Sequence, residues 1–173
     1  GLLAAVGGPP AVNRWLARAG VTGLHLDRDI ATLVRDDGAI NPATTVDARD
    51  SATPRAMVGL LGALYRGQLL SDNSRQVLFS TMERCVTGKH RLKAMLPEGA
   101  SIAHKTGTLA NTSSDVGIIH TADGRDIVLA VYVTGQGSGP ARDGRIAAIA
   151  RTLYDGFKAD AAGMLRGTYT ATR

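Results

Sequence analysis

With 173 residues, 44% of them hydrophobic, the chain is long enough to bury one sizeable core, and nothing in its length requires two domains. No run approaches the ~20 apolar residues of a bilayer-spanning helix, and the opening Gly1-Leu2-Leu3-Ala4-Ala5-Val6 is too short, and lacks the charged leader, to be a secretion signal. The net charge of +5 does not point to nucleic acid: the 20 basic residues are scattered, often beside acids as in Asp27-Arg28-Asp29 and Arg35-Asp36-Asp37, and 4% aromatic residues leave no stacking platform for bases. Cys85 is the single cysteine, so neither an internal disulfide nor a cysteine-based metal cluster can form. It is expected to pack as a small buried residue. Gly1 is not a start methionine, and the authentic N-terminus is expected elsewhere.

In chain order, Pro9 to about Ala19 reads as a helix with proline in its first turn. The next thirty residues, to Asp50, carry little periodicity and read as a long ordered loop with short helical pieces. Thr53-Pro54 opens a helix to about Arg66, with Ala56, Met57, Leu60, Leu61 and Leu64 spaced for one apolar face. Ser71-Asp72-Asn73 reads as a helix-linking turn with an N-cap, followed by a helix from about Ser74 to Cys85 that buries Val77, Leu78, Thr81 and Met82. From residue 100 the period becomes extended. Ser101 to Thr106, Val116 to Thr121 and Asp126 to Thr134 form three strands of an antiparallel meander, the last two joined by the hairpin signal Ala122-Asp123-Gly124-Arg125. A final helix, Pro140 to Phe157, places Ile146, Ile149, Ala150 and Leu153 over the sheet. The fold class is α+β, an antiparallel sheet flanked by helices: residues 1–98 mainly helical with a long loop, 99–157 strands plus a helix, and 158–173 a tail, either helical extension or disorder.

The run with most chemistry is His104-Lys105-Thr106-Gly107-Thr108. Strand alternation puts Lys105 and Gly107 on one face and Thr106 and Thr108 on the other, and Gly107 leaves room for a ligand beside the backbone. Around it, in order, stand Gly7-Gly8-Pro9, Leu26-Asp27-Arg28, Thr53-Pro54-Arg55-Ala56-Met57 and Ser114-Asp115-Val116-Gly117-Ile118-Ile119. Together these resemble the penicillin-recognising serine hydrolases, most closely the class A β-lactamases, over roughly residues 1 to 157.

That resemblance implies the C-terminal part of a β-lactamase/transpeptidase-like fold, a periplasmic or secreted protein, and a β-lactam or acyl-D-alanine-type small molecule as substrate. It implies that Lys105 supplies positive charge near the substrate carboxylate and the nucleophile's proton path. The hydroxyls of Thr106 and Thr108 would bind that carboxylate, and the Thr108 backbone N–H would be one donor of the oxyanion hole. The family nucleophile, a serine in Ser-x-x-Lys, is missing: no serine from Ser51 to Ser138 has a lysine three positions on. The expectation is a fragment, inactive alone, that needs a missing N-terminal segment or self-association to cover its sheet. Ser71-Asp72-Asn73 spells the family's second motif but lies too far downstream to serve as one.

The segment around Leu26-Asp27-Arg28 resembles the family's Ω-loop. The glutamate that activates the deacylating water there is replaced by Ile30, with Asp29 one position early and Asp36 and Asp37 further on. Asp27 is expected to pair with Arg28, and the other three to be solvated. Arg142 stands as a substitute for the arginine that helps bind the substrate carboxylate in many relatives, or as an exposed helix-start residue. His25, His90, His104 and His120 lack metal-ligand spacing, and no metal or cofactor is expected. The readings left open are a serine β-lactamase-like hydrolase, a non-catalytic penicillin- or peptide-binding module, and a D-alanyl-D-alanine peptidase or esterase relative.

Overall fold

A computed structural model describes residues 1–161, and the elements follow the sequence closely. They are α1 (Leu2–Ala5), α2 (Gly8–Arg18), α3 (Ile30–Arg35), α4 (Pro54–Tyr65), α5 (Asp72–Glu83), β1 (Ser101–Leu109), β2 (Thr112–His120), β3 (Asp126–Thr134) and α6 (Gly139–Ala161). Capping side chains fix three of the helix starts: Asp29 accepts from the Thr32 N–H, Thr53 from Ala56 and Ser71 from Ser74. Ser71-Asp72-Asn73 is therefore a cap, as read from the sequence, although α5 begins at Asp72.

The strands form an antiparallel sheet in the order β1-β2-β3. β1 and β2 run past the expected limits of Thr106 and Val116, because the polar residues between them continue the ladder. The strands run to Leu109 and from Thr112, joined by Ala110 and Asn111, whose φ of 52° supplies the left-handed turn residue. Among the described residues neither β1 nor β3 has a strand on its outer side.

Register divides the sheet into two faces. Ala103 and Ile118 pack with Leu61 of α4 and Phe79 and Met82 of α5. On the opposite face Ile119, Ile127, Leu129, Val131 and Val133 meet Leu92 and Ile146, Ala150 and Tyr154 of α6. The result is a three-layer arrangement, helices on both sides of the sheet.

Three burial expectations need correction. Val77 is 59% exposed and Thr81 is also exposed, because α5 turns Phe79 and Met82 inward instead. On α6, Ile149 and Leu153 are largely exposed at 40% and 38%, the inward stripe being Ile146, Ala147, Ala150 and Tyr154. Alanines in that stripe let the helix approach the branched residues of β3. Cys85 lies beyond the end of α5, half-buried, with Sγ 3.3 Å from Thr87 Oγ1. Residues 158–161 continue α6, whereas the rest of the expected tail lies outside the described residues.

Ile146→Ala should cost about 2–5 kcal/mol of stability through lost contacts and a cavity, whereas Ile149→Ala should stay within about 0.5 kcal/mol. Urea midpoints of the two variants measure this. Equal losses would mean that α6 is rotated from the orientation described.

Candidate active site

The site is assembled around β1. Lys105 and Gly107 lie on the α4 side of the sheet, and His104, Thr106 and Thr108 on the α6 side, as alternation requires. Gly107 makes no empty space: a Cβ there would stand 2.5 Å from Ser114 Oγ, so the missing side chain lets the serine hydroxyl close against the strand.

Arg91, which no motif singles out, organises this stretch from behind. It is 6% exposed. Its Nη1 donates to the carbonyls of Gly107 and Ser114 at 2.8 and 2.9 Å, Nη2 to Thr108 Oγ1 at 2.7 Å, and Nε to Asp143 Oδ1 at 2.8 Å. One nitrogen reaches both carbonyls only if both point into the gap between β1 and β2. Gly107 and Ser114 are thus the pair exchanging ladder bonds, and alternation turns the Thr108 N–H toward the open edge of β1. Thr106 Oγ1 is held 2.7 Å from Thr87 Oγ1. Gly88 sits between them with φ +67°, and a Cβ on it would collide with the Thr106 methyl. A glycine following a threonine three positions before Arg91 is the one local signal that this turn packs against the strand.

On the α4 side, a cavity of about 460 Å³ separates the sheet from the long loop. Lys105, Gly107, Ser114 and Tyr132 line the sheet wall, and Arg28, Asp36, Asp37, Asp47 and Asp50 the loop wall. Burial raises the Tyr132 hydroxyl above its ordinary pKa. The loop closes at its neck by backbone bonds from His25 to Ser51 and Thr53 to Gly23. Asn13 of α2 pins it through both backbone groups of Leu26.

Arg28 is the loop's electrostatic centre, but Asp27 is not its partner. Asp27 accepts from His25, while Arg28 donates to Asp50, Asp47 and Asp36. Asp50 adopts φ 52° and uses its other oxygen to accept the N–H groups of Asp27 and Arg28. Asp37, expected as solvated charge, accepts the Ala110 N–H at 2.8 and 3.0 Å and ties the loop to the β1–β2 turn. Asp29 caps α3, and Ile30 is 70% exposed. The Asp50 hydrogen bond, foremost, raises Arg28 further above its already high pKa. Hydrogen bonds from Arg49, then Arg28, lower Asp47 to about 2. Burial opposes ionisation of Asp36 and Asp50, yet the bonds from Arg28 leave both below the ordinary carboxylate value.

Arg142 is brought to the other side of the sheet, 7% exposed, where it bonds Ser113 Oγ, Asn111 Oδ1 and the Gly137 carbonyl and braces the turn. It does not line the cavity. Among the described residues no group of three or more His, Cys, Asp or Glu could hold a metal ion, and no helix is long and apolar enough to cross a membrane.

Residues 1–157 match a family described as the beta-lactamase enzyme family. The carbapenem-hydrolyzing β-lactamase KPC of Klebsiella oxytoca is 32% identical over 163 residues, covering 90% of this chain and 52% of that protein. The extended-spectrum β-lactamase PER-1 of Pseudomonas aeruginosa is 30% identical over 156 residues, covering 86% and 48%. Among solved structures, an ancestral class A β-lactamase superposes with a TM-score of 0.81 at 37% identity, over 90% of this chain and 58% of that one. The chromosome-encoded enzyme of Vibrio parahaemolyticus gives 0.79 at 31%, over 90% and 57%. The chain spans about half the length of the curated relatives it matches.

The Arg28 cluster makes the loop acid-sensitive. A carboxylate held at about 2 instead of 3.8 contributes stability that is present above pH ~4 and lost as pH falls toward 2. Hydrogen-exchange protection of residues 26–52 should drop across that window, and Arg49→Met, which removes the largest cause of the Asp47 shift, should flatten the drop. Protection of the unmodified protein that does not change between pH 5 and 2 would rule the mechanism out.

Proposed function

The chain belongs to the β-lactamase enzyme family, and from that premise we propose that the open edge of β1 is one wall of a serine acyl-transfer site for β-lactams or acyl-D-alanine peptides. The observation that carries it is the outward-turned Thr108 N–H, held by Arg91 on the strand that also bears Lys105. A substrate carbonyl lying along this edge accepts from Thr108 N–H. The substrate carboxylate meets Lys105 Nζ and the hydroxyls of Thr106 and Thr108, the latter already polarised by a guanidinium. Serine Oγ attacks the carbonyl carbon and loses its proton to a base. The C–N bond then breaks, the leaving nitrogen takes up a proton, and an acyl ester remains.

That serine comes from outside these 173 residues, in a Ser-x-x-Lys segment packed over the α4 side of the sheet. The protein is then periplasmic or secreted, like the class it resembles.

A second, slower outcome is favoured by one feature of the loop. Deacylation needs a free base beside a water, yet Ile30 stands where the family has glutamate. Asp36, Asp47 and Asp50 are committed to Arg28, and Asp37 to Ala110. The acyl-enzyme is thus expected to accumulate, as in a penicillin-binding or peptidase-like relative.

The 173-residue chain alone should not turn over a chromogenic cephalosporin, and by light scattering it should be associated instead of monomeric, through the unpaired edges of β1 and β3. Steady turnover abolished by substituting any serine within the chain would defeat the proposal. The product of the whole reading frame should give a burst of acylation followed by slow release. Lys105→Ala should reduce the burst rate by about 10²-fold or more without a comparable loss of thermal stability. An unchanged burst rate in that variant would make Lys105 an ordinary edge-strand residue.

A further inference from the structure

Beneath β1 lies a buried pair that the proposed chemistry does not use. His104 and Asp115 are 1% and 0% exposed, on the α6 side of the sheet. His104 Nδ1 stands 2.9 and 3.0 Å from the two Asp115 oxygens. A carboxylate only accepts, so Nδ1 carries the hydrogen and donates it. The other ring nitrogen, Nε2, is buried and meets no protein group among the described residues. Among the described residues, Asp115 is therefore the only polar contact of this ring.

Asp115 has a second obligation. Its Oδ2 accepts the backbone N–H of Leu92 at 3.2 Å, and Leu92 is fully buried. Arg91 is the preceding residue, and its guanidinium fixes the Gly107 and Ser114 carbonyls and the Thr108 hydroxyl. A buried carboxylate is costly where an apolar contact would hold the layers together as well. Here it gives what packing does not, a directional anchor for the backbone next to Arg91.

We propose that His104 and Asp115 are a positioning pair for the acyl-transfer site. His104 aims the Asp115 carboxylate, the carboxylate holds the chain at Leu92, and that hold sets where the Arg91 guanidinium meets Thr108 and so the direction of the Thr108 N–H. The inference rests on the functional reading above. Neither residue touches substrate, and both act through Arg91. Their loss should appear in the step where negative charge develops on the carbonyl oxygen, with little effect on substrate capture.

The test uses the protein expressed from its whole reading frame, with a chromogenic cephalosporin as substrate and the Arg91 Nε–H resonance, assigned through Arg91→Lys, as a second readout. His104→Ala should lower the acylation rate constant about tenfold or more while KM moves less than about threefold, and the Arg91 resonance should shift or broaden. His104→Asn places an amide N–H where Nδ1–H stands, and should recover most of the rate and the resonance. A rate that falls only in proportion to the unfolded fraction, or an Arg91 resonance unmoved by His104→Ala, would overturn the proposal. Absence of acylation by the wild-type protein would refute the functional reading instead. The Arg91 resonance would then still decide whether the pair positions that side chain.

Discussion

The architecture around β1 depends on a guanidinium taken out of water. Arg91 is tolerable in the interior because its charge meets the Asp143 carboxylate and its N–H groups meet two carbonyls and a hydroxyl. Those acceptors come from α6, both strands of the hairpin and the threonine beside it. Satisfying one side chain therefore requires the helix, the hairpin register and the 88–97 segment to agree. A slip of one residue between β1 and β2 would turn one strand's side chains to the opposite face of the sheet and would separate the two carbonyls that share Nη1.

The opposite face repeats the device with other parts. Arg28 organises the loop as Arg91 organises the sheet, by drawing acceptors from segments far apart in the chain, Asp36, Asp47 and Asp50. The carboxylates here are numerous, and Arg49 shares two of them. This network leaves no uncommitted carboxylate on the loop wall of the cavity. On the proposed reading a compact loop and a free base draw on the same side chains, and here the hydrogen bonds of the loop take them.

Much of this was legible in the sequence for local reasons. Alternation along Lys105 to Thr108 gave the faces of β1, Thr53-Pro54 gave the start of α4, and Asp123-Gly124 gave the β2–β3 turn. The reading faltered where the decisive partner lies far along the chain. Asp27 is adjacent to Arg28, whereas its actual partners lie 8, 19 and 22 residues away and are selected by loop closure. Arg91 looks like any arginine until the strands it serves are paired. The β1–β2 turn carries no glycine, so the polar run of Thr, Ser and Asn around it gave no turn signal, and the strand limits at Thr106 and Val116 fell short of the ladder. On α6, hydrophobicity favoured Ile149 and Leu153, but the space beside the branched residues of β3 admits Ala147 and Ala150.

The Ala110–Asn111 turn is gripped from three directions. Asp37 holds the Ala110 N–H, the Asn41 side chain meets that of Asn111, and Arg142 reaches Asn111 from the other face of the sheet. Loop, hairpin tip and final helix consequently share one joint. A displacement of the loop cannot be absorbed at its own ends, because the neck is closed by backbone bonds and the crown is fastened to the turn. It is instead passed as a lever motion into β1, two residues from Thr108. Changes in loop length between residues 29 and 50 therefore act on the geometry of the strand edge even when they touch none of its residues.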